Sequence, residues 1–205
     1  MNPFRTLTTL TALAAPLPHP NLDTDVIIRV ERCVRTPKAE LGRYAFEALR
    51  FLPDGSENKE FVLNRPPWRG AQILVCGENF GCGSSREMAV WAIAGMGIRC
   101  VIAPSFGEIF QGNCLQNGLL AIRLPKEQVT RLMQQAGDPA SATFTIDLVR
   151  QTVNQDIAFE IDPLAKKMLL QGLDAIGLTL ARESEITAFQ AQDRARRPWI
   201  YDLPI

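Results

Sequence analysis

The chain predicts an α/β fold with a mostly parallel central sheet, flanking helices and a C-terminal hairpin. Between residues 72 and 124, short apolar runs alternate with helical stretches at the spacing of βαβ units, which join parallel strands through a crossover. Beyond residue 140 the period changes to strict alternation, the mark of half-buried antiparallel strands. Glycine and proline punctuate both regions.

Residues 1–20 are an N-terminal arm or a first strand. Arg5 precedes Leu7 to Leu17, and Ala12 to Ala15 has some character of a cleavage region. Thr6, Thr8, Thr9 and Thr11 dilute that segment, and Pro16 and Pro18 follow at once, against a signal peptide. Asn21-Leu22-Asp23-Thr24-Asp25 is turn chemistry leading into Val26-Ile27-Ile28. Arg29, Arg32, Arg35, Lys38 and Arg43 then place five positive charges in fifteen residues. This basic loop, 29–45, is either solvated and mobile or a flap over a polyanionic ligand.

Gln72 to Cys76 is a buried strand, residues 85–96 a helix that Gly97 ends, and Arg99 to Ala103 a second strand. Pro104-Ser105 opens a short helix over Phe106 to Asn113, and Leu119 to Leu124 is a third strand. Lys126 to Gln135 is an amphipathic helix closed by Gly137. Thr143 to Leu148 alternates, and Val153 to Ile161 does so more weakly, which gives the hairpin. Pro163 to Leu170 and Glu183 to Ala195 are helical, separated by a glycine-punctuated turn, Gly172 to Leu178. Residues 194–205 form a tail that docks on a partner or stays mobile. One domain over 1–205 accommodates all of this.

Hydrophobic content of 46% and charged content of 21% fit a globular protein, with Lys+Arg and Asp+Glu equal at 22 each. That balance points to neither nucleic acid nor a membrane surface, and no apolar stretch is long enough to span a bilayer; the expected compartment is the cytoplasm. The cysteines, Cys33, Cys76, Cys82, Cys100 and Cys114, are odd in number and form no tight pair. Cys76 and Cys100 sit in strand-like runs as core residues, and neither a disulfide framework nor a zinc site is expected. The one histidine, His19, lies in a proline-rich stretch, so a Ser-His-Asp triad or a multi-histidine metal site would rest entirely on one poorly placed residue, and acid–base chemistry must use another group.

The most informative segment is Gly81-Cys82-Gly83-Ser84-Ser85-Arg86-Glu87-Met88-Ala89. It follows a buried strand and opens a helix, so it carries two hydroxyls and a guanidinium to a helix N-terminus, where free N–H groups and the dipole favour a small anion. A structural role is compatible: Ser84 as N-cap, with Glu87 closing a capping box.

Four stretches together resemble the small subunit of 3-isopropylmalate dehydratase, the swivelling β/β/α domain of the aconitase superfamily. They are Asn21 to Ile28; Glu78-Asn79-Phe80-Gly81-Cys82-Gly83-Ser84-Ser85-Arg86-Glu87, close to the family signature; Ala103 to Phe110 with Gly112-Asn113; and Gly172 to Leu180. The likeness spans residues 20–185. It implies a hydro-lyase that moves a hydroxyl between neighbouring carbons of a substituted malate through an alkene, within leucine biosynthesis. It also implies a large-subunit partner carrying a [4Fe-4S] cluster on three cysteines, with no metal or cofactor held by this chain. By position, Ser84 becomes the base, Gly83, Ser85 and Arg86 bind the di- or tricarboxylic acid substrate, and Arg29, Arg32 and Arg35 reach it from the basic loop.

Two departures bear on the substrate. Met88 stands where the family usually has histidine, and Arg29 follows Ile28 where it usually has proline. The arginines suit a more polar acid; the near alternative is a paralogue acting on another alkyl-substituted maleate or malate, such as citraconate or dimethylmaleate. A non-catalytic anion- or nucleotide-binding module is the distant one, although the turn lacks both common phosphate-loop spacings.

Overall fold

The structure, a computed structural model, describes residues 5–201. Among these a seven-stranded sheet forms the centre: β1 (Thr9–Leu17), β2 (Ile73–Cys76), β3 (Cys100–Ala103), β4 (Leu120–Arg123), β5 (Thr143–Asp147), β6 (Thr152–Val153) and β7 (Ile157–Ala158). Their spatial order is β4-β3-β2-β1-β5-β6-β7. β1 to β4 run parallel, and β5 to β7 extend the sheet antiparallel. The mixed α/β architecture agrees with the sequence expectation; its parallel character belongs to the β1–β4 half.

The segment read as an arm or first strand supplies the middle of this sheet, while residues 1–4 lie outside the described range. Thr9 to Leu13 of β1 pair with β5, and Ala14 to Leu17 pair with β2. Two of the threonines that dilute its hydrophobicity, Thr9 and Thr11, stand opposite Asp147 and Thr145 on β5, and Thr11 Oγ1 meets Thr145 Oγ1 at 3.0 Å.

The helices are α1 (Thr24–Ile27), α2 (Val30–Arg35), α3 (Glu47–Arg50), α4 (Glu87–Gly95), α5 (Glu108–Gln116), α6 (Lys126–Gly137), α7 (Pro163–Gln171), α8 (Ala175–Leu180) and α9 (Glu183–Arg196). Every residue of β2 and β3 is buried, as expected where helices cover both faces of a parallel sheet. Period two divides them between two cores. Leu74 and Cys76 pack with Ala89, Val90 and Ile93 of α4 and Phe110 of α5. Ile73 and Val75 pack with Val129, Leu132 and Ala136 of α6.

Three local expectations need correction. The turn chemistry over Asn21 to Asp25 gives way to helix as early as Thr24: α1 takes in Val26 and Ile27, and Ile28 follows it in extended conformation. The Asp23 carboxylate accepts from the Val26 N–H at 2.8 Å and caps α1. The basic segment 29–45 is not an irregular loop: it folds into α2 and a 3₁₀ stretch, Lys38–Tyr44. That stretch packs on α4 at a backbone crossing, where a Cβ on Gly42 would stand 2.2 Å from the Gly95 carbonyl carbon. Gly172 to Leu178 is likewise only partly a turn. Gly172 ends α7 in the left-handed region at φ 65°, and Asp174 then caps α8 through the Gly177 N–H at 2.6 Å.

At the C-terminus, α9 buries none of its residues. The expected tail begins inside it, continues through a turn at Pro198–Ile200 and is anchored by Tyr201 donating to Asp193 at 3.0 Å. Residues 202–205 of that tail lie outside the described range. Among the described residues no helix is long and apolar enough to cross a membrane.

Candidate active site

The parallel strands β1, β2 and β3 all release the chain at one edge of the sheet, the side where open α/β sheets collect ligands. The three segments that leave there knit together by backbone hydrogen bonds. The Gly81 N–H donates to the Leu22 carbonyl at 2.8 Å and the Thr24 N–H to the Cys82 carbonyl at 3.0 Å. On the other side, the Phe80 N–H donates to the Ser105 carbonyl at 3.1 Å and the Gly107 N–H to Phe80 at 2.9 Å. The glycine turn is thus clamped between residues 21–24 and 105–107. Gly81 has φ +73° and faces the Phe110 ring, while Gly83 has φ +89° beside Asp23 and Thr24.

Gly83, Ser84 and Ser85 are exposed, and Arg86 is half-buried. The expected capping box is absent: Arg86 is the N-cap of α4 and no side chain caps it. Each intended member is engaged elsewhere. The Ser84 hydroxyl turns to Thr24, whose Oγ1 lies 3.3 Å away, and Thr24 Oγ1 also donates to the Ser84 carbonyl at 3.1 Å. The Glu87 carboxylate accepts from Asn117 Nδ2 at 2.8 Å, while Asn117 Oδ1 accepts from Trp91 Nε1 at 2.8 Å. With neither side chain capping, the Glu87 and Met88 N–H groups at the start of α4 have no acceptor among the described residues and stay available for a ligand, while the Ala89 N–H donates to the Arg86 carbonyl at 3.1 Å. Ser85 has no side-chain hydrogen bond among the described residues, so its hydroxyl is free at the same surface.

Arg86 pairs with Asp25 and reaches the Ile28 carbonyl at 3.5 Å, both through Nη1. Its pKa is raised, first by the hydrogen bond to Asp25, so it stays a cation. The Nε and Nη2 edge has no acceptor among the described residues and presents the fork that a carboxylate takes bidentately. The Cys33 thiol stands within electrostatic reach of this pair; burial pushes it up and Arg86 opposes that shift.

The three arginines expected from the basic segment have separate surroundings. Arg32 is committed to Glu47, with Nε to Oε2 at 2.9 Å, and its guanidinium lies 4.2 Å over the Tyr44 ring. Arg29 lies 3.8 Å from Glu31 on an exposed surface, and Arg35 is exposed at the end of α2 with no ion pair among the described residues. None of the three shares a hydrogen bond with the glycine turn among the described residues. The residues that sequence reading missed are Thr24, Asp25 and Asn117. The first two belong to a motif that was legible, Asp23-Thr24-Asp25, but their contacts join positions about sixty residues apart.

A [4Fe-4S] cluster does not fit this chain's donors. Cys76, Cys100 and Cys114 are buried core thiols and Cys33 and Cys82 are half-buried. Among the described residues no group of three or more metal-ligating side chains converges.

A glycine turn at the carboxyl edge of parallel strands, presenting Ser84 and Arg86 at a helix N-terminus, defines the class: the C-terminal domain of the aconitases, whose family model matches residues 4–127. Residues 176–202 match the model of the C-terminal domain of the 3-isopropylmalate dehydratase small subunit. The chain belongs to the family of 3-isopropylmalate dehydratase small subunits. The small subunit of Paramagnetospirillum magneticum is 51% identical over 197 residues, covering 94% of this chain and 98% of that one. That of Dinoroseobacter shibae shows the same identity and coverage. The crystal structure of 3-isopropylmalate dehydratase from Methanocaldococcus jannaschii superposes with a TM-score of 0.64 at 26% identity, covering 88% of this chain and 99% of that one.

Proposed function

We propose that this chain is the half of a hydro-lyase active site that moves the substrate's proton, interconverting 2- and 3-isopropylmalate in leucine biosynthesis. The observation that carries the reading is the exposed Ser84 hydroxyl, held by Thr24 beside the open edge of Arg86 and the uncapped start of α4. Arg86 clamps one substrate carboxylate through Nε and Nη2, and Ser85 and the backbone at Gly83 orient it. Ser84, as the alkoxide, accepts the proton from the carbon beside a carboxylate. Hydroxide leaves the neighbouring carbon and the alkene forms. Hydroxide then adds to the carbon that lost its proton, and Ser84 returns that proton to the carbon that lost hydroxide, which restores the alkoxide. A serine is a poor base in water, so the anion needs the cation, the N–H groups and exclusion of solvent together.

Exclusion of solvent is what the isolated chain lacks, because Gly83 to Ser85 face outward. A large subunit would close that surface and bring the cluster whose thiolates this chain does not provide. Three core thiols suit a reducing compartment such as the cytoplasm.

The test is Ser84→Ala in the complex reconstituted with its large subunit. Turnover should be lost while assembly and thermal stability hold, because the side chain is exposed. Near-normal turnover would overturn the reading.

A further inference from the structure

Thr24 is a polar residue buried to 1% exposure, and among the described residues its side-chain oxygen hydrogen-bonds only with Ser84. Burial of a hydroxyl is costly unless it is hydrogen-bonded. Two acceptors lie within its reach, the Ser84 carbonyl at 3.1 Å and the Ser84 Oγ at 3.3 Å. A threonine has one proton, so it cannot donate to both at once.

We propose that Thr24 is a positioning residue that acts through Ser84, donating its hydroxyl proton to Ser84 Oγ when that oxygen carries negative charge. The inference rests on Ser84 being the base. With Ser84 neutral, Thr24 donates to the Ser84 carbonyl and accepts the serine's own proton. Once Ser84 is an alkoxide it has no proton to give, and a lone pair of Thr24 facing it is repulsive. Rotation of the Thr24 hydroxyl then turns an acceptor into a donor at the same oxygen–oxygen contact. The carbonyl released by this rotation is not orphaned, because it also accepts from the Arg86 N–H at 2.8 Å. Thr24 itself does not need to move. Its N–H is held by the Cys82 carbonyl at 3.0 Å, and the Asp23 cap fixes the first turn of α1. The switch is therefore one hydroxyl torsion inside a rigid frame, the kind of preorganised donor that stabilises charge without reorganisation. A hydrogen bond to an ionised oxygen is also shorter and stronger than one to a neutral oxygen.

The test compares Thr24→Val, which keeps the shape and loses the donor, with Thr24→Ser, which keeps the donor, in the reconstituted complex. Thr24→Val should lower kcat by about 10²-fold, the usual loss for one such donor, with KM little changed. Its primary isotope effect, measured with substrate deuterated at the carbon that loses its proton, should rise because proton abstraction has become slower. Thr24→Ser should recover most of kcat and the original isotope effect. Thr24→Ala replaces the valine variant if the latter fails to assemble, and the same readouts apply. A fall in kcat with an unchanged isotope effect, or a serine variant no better than valine, overturns the proposal. Ser84→Ala run in parallel separates the two claims. An inactive alanine variant beside a Thr24→Val of normal kcat removes Thr24 alone, whereas an active alanine variant removes the base and Thr24 with it.

Discussion

Replacing Gly81 with alanine tests how firmly the active-site turn is seated. The backbone there has φ +73°, and a Cβ would stand 2.3 Å from Phe110 Cγ and 2.6 Å from both Cδ atoms. Phe110 is 3% exposed, and its ring meets Phe80 edge-on at 5.4 Å between centroids and stacks near Phe106 at 6.5 Å. It has nowhere to swing. A left-handed alanine costs about 1–2 kcal/mol and overpacking of this kind about 1–3 kcal/mol. A stiffer unfolded chain offsets about 0.4–1 kcal/mol of that, which leaves a net loss of roughly 2–4 kcal/mol. For a chain of this length that lowers Tm by roughly 4–16 °C. Gly97→Ala is the control, because Gly97 has φ +98° with nothing within 4 Å of its Cβ position; it carries the backbone cost alone. Denaturant and thermal unfolding of the purified chain measure both variants. Gly81→Ala should be the less stable by the contact term, and adding Phe110→Leu should return part of the difference, since the two sites touch. Equal stability of Gly81→Ala and Gly97→Ala would refute the close contact with Phe110.

Arg86→Lys should raise KM and lower kcat/KM by roughly tenfold to a hundredfold, because an ammonium cannot offer the Nε–Nη2 fork; unchanged kinetics would make Arg86 structural only. Arg32→Gln should cost about 1 kcal/mol at neutral pH, the scale of a solvent-screened pair. Arg32's hydrogen bond holds the Glu47 carboxyl below the usual range, so the pair contributes above that range and its share disappears as the pH falls through Glu47's lowered value. The gap between wild type and variant in pH-dependent unfolding should therefore close in acid. Burial pushes Cys76, Cys100 and Cys114 well above an ordinary thiol. A thiol reagent should accordingly label Cys33 and Cys82 first in the native chain, and the other three only on unfolding.

What could be read along the chain was whatever local period and backbone chemistry decide. The β2–turn–α4–β3 unit was legible because its apolar runs, its glycines and the length of its helix all act within about thirty residues. The placing of Ser84, Ser85 and Arg86 at a helix N-terminus followed from the same local pattern. The capping box was misjudged for a reason of the opposite kind. Ser84 and Glu87 have the right spacing for a cap, but each finds a partner in another segment, Thr24 and Asn117, and a cap is only one use of a side-chain oxygen.

The central position of β1 depended on partners at residues 73–76 and 143–147, which no window over residues 9–17 contains. Arg32 reads as a free cation until Glu47 and Tyr44 arrive beside it, and Arg86 reads as wholly available until Asp25 occupies one of its edges. Sequence alone therefore determined which residue types reach the sheet edge and in what order, because covalent spacing and hydrophobic period are local. Tertiary structure decided which of them are already bonded and which remain open to a ligand. A hydrogen bond or ion pair forms with whatever atom the fold brings within about 3 Å, and neighbours in space are chosen by packing, not by position along the chain.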